Sequence, residues 1–180
     1  MVIQSATSQI QANFQDLFRA NLATGDVYIR FRLTSSMTAL LSMVQVQESL
    51  VVEAEKITPM PGMPESVIGI MSSRGRVFCV FDLAQLLKLS SELIAPRQYQ
   101  IIVLQTTDER SIYVGFAVNR LSGIMRLTSE QIMPFLSDSA NFPADITPYI
   151  CGVVSENENI IPILEFKYIL QLLTKLDSNY

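Results

Sequence analysis

Apolar residues along this chain change their spacing several times, and each change marks a new element. Between residues 8 and 22, Ile10, Phe14, Leu17, Phe18 and Leu22 recur at helical intervals. Ser8 and Gln11 are spaced as a capping box and Gly25 is placed to stop the helix, so an amphipathic helix is predicted over residues 1–25. From Tyr28 the period shortens: Tyr28 to Leu33 alternates apolar and basic residues, and Thr38 to Val46 is short and mostly apolar, so both read as strands. Pro59 to Pro64 is too proline-rich for strand or helix and reads as a rigid loop. Near the end, Phe166, Ile169, Leu170, Leu173 and Leu176 return to helical spacing and predict a helix over about 166–176.

The middle of the chain repeats itself. Val67 to Ser72 overlays Ile150 to Ser155, which places Gly69 on Gly152 and Ser72 on Ser155. At the same offset of 83 residues, Val77 to Asp82 meets Ile160 to Glu165. Upstream, Glu55 to Pro59 overlays Glu130 to Pro134, Val46 overlays Leu121, and Tyr28 to Leu33 overlays Tyr99 to Leu104. Two similar β units are therefore expected, a first barrel at about 26–92 and a second at about 98–168, each with roughly five short strands. The connector is Ser90 to Gln98, and Phe135 to Tyr149 is an ordered loop within the second unit.

Composition narrows the chemistry. The 180 residues carry a net charge of −4 and contain no histidine, which excludes Ser-His-Asp, Cys-His and HExxH arrangements. None of the four lysines has a serine three residues before it, and the seven glycines write neither phosphate-loop pattern, so no catalytic, cofactor-binding or metal site is expected. Dispersed basic residues argue against nucleic acid. The N-terminus lacks the pattern of a signal peptide, and no apolar run approaches the roughly 18 residues of a membrane span, so a cytoplasmic protein without direct membrane insertion is expected. Cys79 and Cys151 sit in apolar runs and are expected as two buried thiols.

What remains suggests contact surfaces. Arg74 lies in the turn Ser72-Ser-Arg-Gly75, where its guanidinium can project to a partner. Val46 and Glu48, two apart, share one strand face and would make a mixed binding surface. Asp82 and Glu165 each precede a short helix and read as caps. The Phe14/Phe18 face either packs on the barrels or docks on another protein.

The run Ile68 to Leu83 resembles the "G-x-x-N-L-R-G" turn, apolar strand and Asp-Leu of the CheW-like chemotaxis adaptors. Val46 to Glu48 resembles that family's "V-Q-E", Leu127 to Ile132 its "L-T-x-E-Q-I", and Tyr149 to Gly152 its "Y-x-x-G", in the right order over about residues 26–173. Departures are Ser72-Ser73 for Asn-Leu, Cys79 for a proline and Asn119-Arg120 for Asp-Gly. The resemblance implies a mainly β fold of two intertwined five-stranded SH3-like barrels over about 26–176. It implies no enzymatic activity and no cofactor. It implies instead an adaptor that couples a chemoreceptor cytoplasmic tip to the regulatory domain of a CheA-type histidine kinase at receptor arrays. The longer N-terminus fits a divergent branch such as those serving type IV pilus motility or phototaxis. By position, Val46, Glu48, Gly69, Arg74, Leu121 and Ile124 would belong to the receptor-contacting and neighbouring surface. The competing reading is a stand-alone structural or ligand-binding β-barrel protein with a different partner.

Overall fold

The computed structural model describes residues 24–106, 111–136 and 141–177; the helix expected before residue 25 lies outside them. Ten strands follow in order: β1 (Asp26–Arg32), β2 (Thr38–Ser42), β3 (Val46–Glu53), β4 (Val67–Ser73), β5 (Arg76–Asp82), β6 (Gln98–Gln105), β7 (Tyr113–Val118), β8 (Arg120–Leu127), β9 (Ile150–Glu156) and β10 (Asn159–Leu164). A single-turn helix α1 (Leu83–Leu86) follows β5, and α2 (Phe166–Asp177) closes the described chain.

Each half supplies five strands, as the repeat predicts, but the sheets do not divide the chain at the 92–98 connector. One sheet runs β8-β1-β2-β10-β9 and the other β3-β6-β7-β5-β4. Numbering the strands of each half from one to five gives the same order, 3-1-2-5-4, in both sheets. Each half therefore lends its first two strands to the last three strands of the other. The bounds of 26–92 and 98–168 therefore do not delimit the sheets; as the family resemblance implies, the two five-stranded units are intertwined, each drawing on both halves.

The lent strands explain themselves chemically, because they are apolar on both faces. In β6, Ile101 and Val103 point into one barrel with Val52, Phe78 and Val80, while Ile102 and Leu104 point the other way. In β1 and β2, Tyr28 and Leu40 fill the other barrel with Leu127 and Ile163, while Ile29, Phe31 and Leu41 join Ile102, Leu104, Phe116 and Phe166 in a layer common to both sheets. Burying one such side chain contributes about 1.5–3 kcal/mol, so a strand with two buried faces gains most between the sheets. Phe116 meets Phe166 edge-on, ring centroids 6.0 Å apart, which fastens α2 to the same layer.

Closure uses the repeated glycines. The chain leaving β3 turns back and pairs Thr58 with Ile70 of β4, and the chain leaving β8 pairs Met133 with Val153 of β9. Ile57 and Ile132, one residue before each bridge, pack into the two barrel cores. A Cβ on Gly69, whose φ is +156°, would lie 2.3 Å from the Thr58 carbonyl oxygen. At Gly152 the nearest obstacle is the Ile132 Cγ2, 2.9 Å away. Bulges recur at equivalent places too, at Gln47 and Ser122 and at Ile68 and Cys151.

Polar groups fix the joints. Asp82 accepts from the Gln85 N–H at 3.1 Å and from the Ser91 hydroxyl, and Glu165 accepts from the Lys167 N–H at 3.3 Å, so both carboxylates cap their helices. In the connector, Glu92 accepts from the Ser35 N–H and the Asn119 side-chain amide, each at 2.5 Å, and so ties the β1–β2 and β7–β8 turns together. The Ser35 hydroxyl and N–H, with help from Asn119 and Arg32, hold the Glu92 carboxyl below its ordinary value.

Two outcomes follow from these joints. Gly69→Ala should lower the unfolding free energy by about 3 kcal/mol, because backbone must move, whereas Gly152→Ala should cost about 1 kcal/mol, because one side chain can shift; urea denaturation of both variants checks the order. A carboxyl held low in the folded state stabilises above its unfolded pKa of about 4.3, and that contribution disappears as pH falls through the lower folded value. Wild type should thus melt above Glu92→Gln at pH 7, and the gap should close below about pH 4.

Candidate functional site

The β2–β3 connection and β8 meet at a notch of about 410 Å³ lined by Met43, Val46, Glu48, Leu121, Gly123 and Ile124, among others. Four of the six residues singled out in the sequence line it: Val46, Glu48, Leu121 and Ile124. The two halves contribute equivalent positions, since Val46 overlays Leu121 and Glu48 overlays Gly123 at an offset of 75 residues. The bulges at Gln47 and Ser122 separate these pairs, and alternation along β3 keeps Val46 and Glu48 on the inner face. Gly123, at φ +112°, adds backbone but no side chain to the notch lining.

Arg74 joins from outside. Its Nε lies 3.1 Å from Glu48 Oε2, and the Arg74 side chain is 73% exposed while that of Glu48 is 6% exposed. Neither oxygen of this buried carboxylate has a hydrogen-bond partner among the described residues. The ion pair is thus close in distance but off-line as a hydrogen bond, and we take it as charge attraction alone. A buried carboxylate without a hydrogen-bond donor is costly, which makes Glu48 the polar group of the notch that gains most from an added donor.

The backbone beneath Arg74 carries a second cost. Arg74 and Gly75 occupy left-handed conformations, φ 50° and 75°, in the hairpin between β4 and β5. The equivalent turn after β9 places Asn157 there, at φ 48°, a residue that tolerates this conformation better than arginine. The same region is occupied by Lys88, Ala95 and Glu158, so the conformation sets where the Arg74 side chain projects without by itself assigning it a role. Ile124, 64% exposed, adds an apolar rim to the notch.

Gly69 stands apart from this notch, under the closing segment at Thr58. The resemblance grouped it with the receptor-contacting and neighbouring surface, whereas in the fold it lets β4 pass close to the Thr58 carbonyl. Met43 and Gly123 escaped the sequence reading: Met43 is one of many apolar residues in its segment, and the register of β8 against β1 was needed to bring Gly123 beside it. The thiols also differ from expectation. Neither cysteine forms a disulfide, but Cys79 is half-buried and Cys151 exposed. Burial of the sulfur, then Glu165, push the Cys151 thiol up. Among the described residues no group of three potential metal ligands gathers, and no helix is long and apolar enough to cross a membrane.

Comparisons with known proteins place this geometry. The model of the CheW-like domain matches residues 28–174. "Chemotaxis protein CheW" of Thermotoga maritima is 30% identical over 125 residues, covering 69% of this chain and 76% of the relative. "Protein FrzA" of Myxococcus xanthus is 28% identical over 125 residues, covering 67% and 72%. The crystal structure of the scaffolding protein TtCheW from Thermoanaerobacter tengcongensis superposes with a TM-score of 0.63 at 19% identity, covering 79% of this chain and 90% of that one, a likeness of fold.

The site geometry predicts the outcome of a double-mutant cycle. Arg74→Asn alone relieves backbone strain but strips Glu48 of its counter-charge, and should cost about 1–2 kcal/mol. Adding Glu48→Met should return stability to wild type or above, because the buried charge is gone. Thermal unfolding of the single and double variants checks the sign.

Proposed function

This chain belongs to the CheW-like domain family, and from that premise we propose that it is a non-enzymatic scaffold of a chemotaxis-type signalling system, coupling chemoreceptors to a CheA-type histidine kinase. The observation that carries the site is the buried Glu48 carboxylate, unbonded and flanked by apolar side chains, with an exposed arginine at its mouth. An enzyme uses such a carboxylate with a second titratable group within hydrogen-bond reach. Here Gln47 and Ser49 are the other polar residues of a lining that is otherwise apolar, with Val46, Leu121 and Ile124. No second carboxylate joins them among the described residues, and a protein surface is the better match.

The notch sets terms for the receptor segment that fills it. Glu48 needs a hydrogen-bond donor. Arg74 holds Glu48 through Nε, and the two terminal nitrogens of its fork have no partner among the described residues, so an outer carboxylate can pair with them. Ile124 needs an apolar cover. A helical receptor tip with an apolar ridge, an amide or hydroxyl and an acidic group meets all three conditions. Val46, Glu48, Arg74, Leu121 and Ile124 are the receptor-facing residues in this reading, and Gly69 supports the barrel behind them.

The regulatory domain of the kinase, itself CheW-like in this family, is assigned to the barrel ends. Scaffolding then works by geometry: the two barrels share one apolar layer, so a receptor seated between them and a kinase domain on a barrel end are held in a fixed relation, and a receptor shift biases the kinase between two arrangements. A motility role of the type IV pilus kind is the branch of this proposal that the likeness to FrzA favours. The place of action is the cytoplasmic face of receptor arrays, reached through partners, with no nucleic acid involved.

Arg74→Ala and Ile124→Asp should each weaken capture by a receptor cytoplasmic fragment at least tenfold while leaving binding to the kinase regulatory domain within about twofold, as read by titration against each partner. Unchanged receptor binding, or equal loss for both partners, overturns the assignment.

A further inference from the structure

Away from the notch, a second depression of about 880 Å³ lies between α2 and the barrel built on β5 and β7. Its floor includes Val77, Cys79 and Phe81, alternate residues of one strand, and its walls include Ile112 from the chain before β7 and Leu170 and Leu173 from α2. Val77 and Ile112 are exposed, and Lys167 is the sole charged side chain in the lining. A long apolar trough with a helix along one wall is the shape that receives a second amphipathic helix.

We propose that this groove is the seat of the chain's own residues 8–22. The predicted helix there carries its apolar residues, Ile10, Phe14, Leu17, Phe18 and Leu22, on one face, while Asp16 and Arg19 fall on the opposite face. An uncharged stripe thus meets a nearly uncharged groove. The lengths agree as well, because 15 helical residues span about 22 Å and the 12 residues of α2 about 18 Å.

The root of the segment lies within reach. Val27 accepts a backbone hydrogen bond from Met43 at 2.8 Å, and Gln45, two residues further on, lines the groove. Residue 24 precedes Val27 by three positions, so it stands no more than about 22 Å from the groove wall, by the extended reach of five residues and one strand spacing. Gln45 faces the groove and Val46 faces the receptor-side notch, so the seated helix would press on the connection that shapes the proposed receptor site.

Cys79 reports on the groove directly. In full-length protein carrying Cys151→Ser, Cys79 is the sole thiol, and its reaction with dithionitrobenzoate measures access. Phe14→Asp with Phe18→Asp should speed that reaction at least tenfold; an unchanged rate overturns the proposal. In the same Cys151→Ser background, Phe14→Cys should form an intramolecular disulfide with Cys79 under mild oxidation, while Ala12→Cys, on the charged face, should not. Equal cross-linking from both positions, or from neither, overturns it. A disulfide that forms only between molecules means that a second copy supplies the helix, and overturns it in this form.

Discussion

The apolar layer shared by the two sheets is the constraint on which the rest of the structure depends. β1, β2, β6 and β7 each bury one face inside a barrel and the other against the neighbouring sheet, so none of them can be satisfied in a barrel standing alone. Lending them across the halves solves the problem for both at once. Lent strands join resident ones at four seams, antiparallel where β1 meets β8 and β6 meets β3, and parallel where β2 meets β10 and β7 meets β5. The sheet edges that remain, at β3 with β4 and at β8 with β9, are brought together by single bridges just after the short 3-10 turns Ala54–Lys56 and Ser129–Gln131, which protects strand edges from pairing with other chains.

The notch proposed for the receptor is a by-product of this exchange. Val46 and Leu121 are equivalent residues of the two halves, each followed by a bulge, and the next equivalent pair, Glu48 and Gly123, lines the same notch. Symmetry supplies the cleft, and departures from symmetry supply its chemistry. Glu48 stands where the other half has glycine, and Arg74 stands in a left-handed turn where the other half has asparagine. Each departure costs stability locally, and the well-packed layer behind the notch can absorb that cost.

Much of this was legible in the chain because its signals are local. Periodicity and the repeats placed β1, β2, β4, β5, β6, β9 and β10 to within a few residues, and the overlay of Gly69 on Gly152 showed a duplicated β unit, whose closure only the bridges reveal. Strand exchange was not legible in the periodicity, since Ile101 to Leu104 is apolar throughout whichever sheet it joins, and a proline-containing connector at 90–98 looks like a unit boundary. The pairing of Val46 with Glu48 on one face followed from spacing, whereas their meeting with Leu121 and Ile124 depends on the register of β8 against β1. Gly69 shows the limit of transfer by position: a family motif includes it beside functional residues, but a carbonyl 2.3 Å from its missing Cβ explains it by packing. The groove under α2 was invisible for the same reason as the notch, because its walls come from residues far apart, Val77, Ile112 and Leu170.

The central claim is that equivalent segments from the two halves act as one receptor surface. Backbone hydrogen exchange of the full chain, with and without a receptor cytoplasmic fragment, tests it most directly. The account predicts that protection rises together in Val46–Ser49 and Leu121–Ile124. Protection confined to one of the two segments, or gained only elsewhere on the barrels, would contradict it.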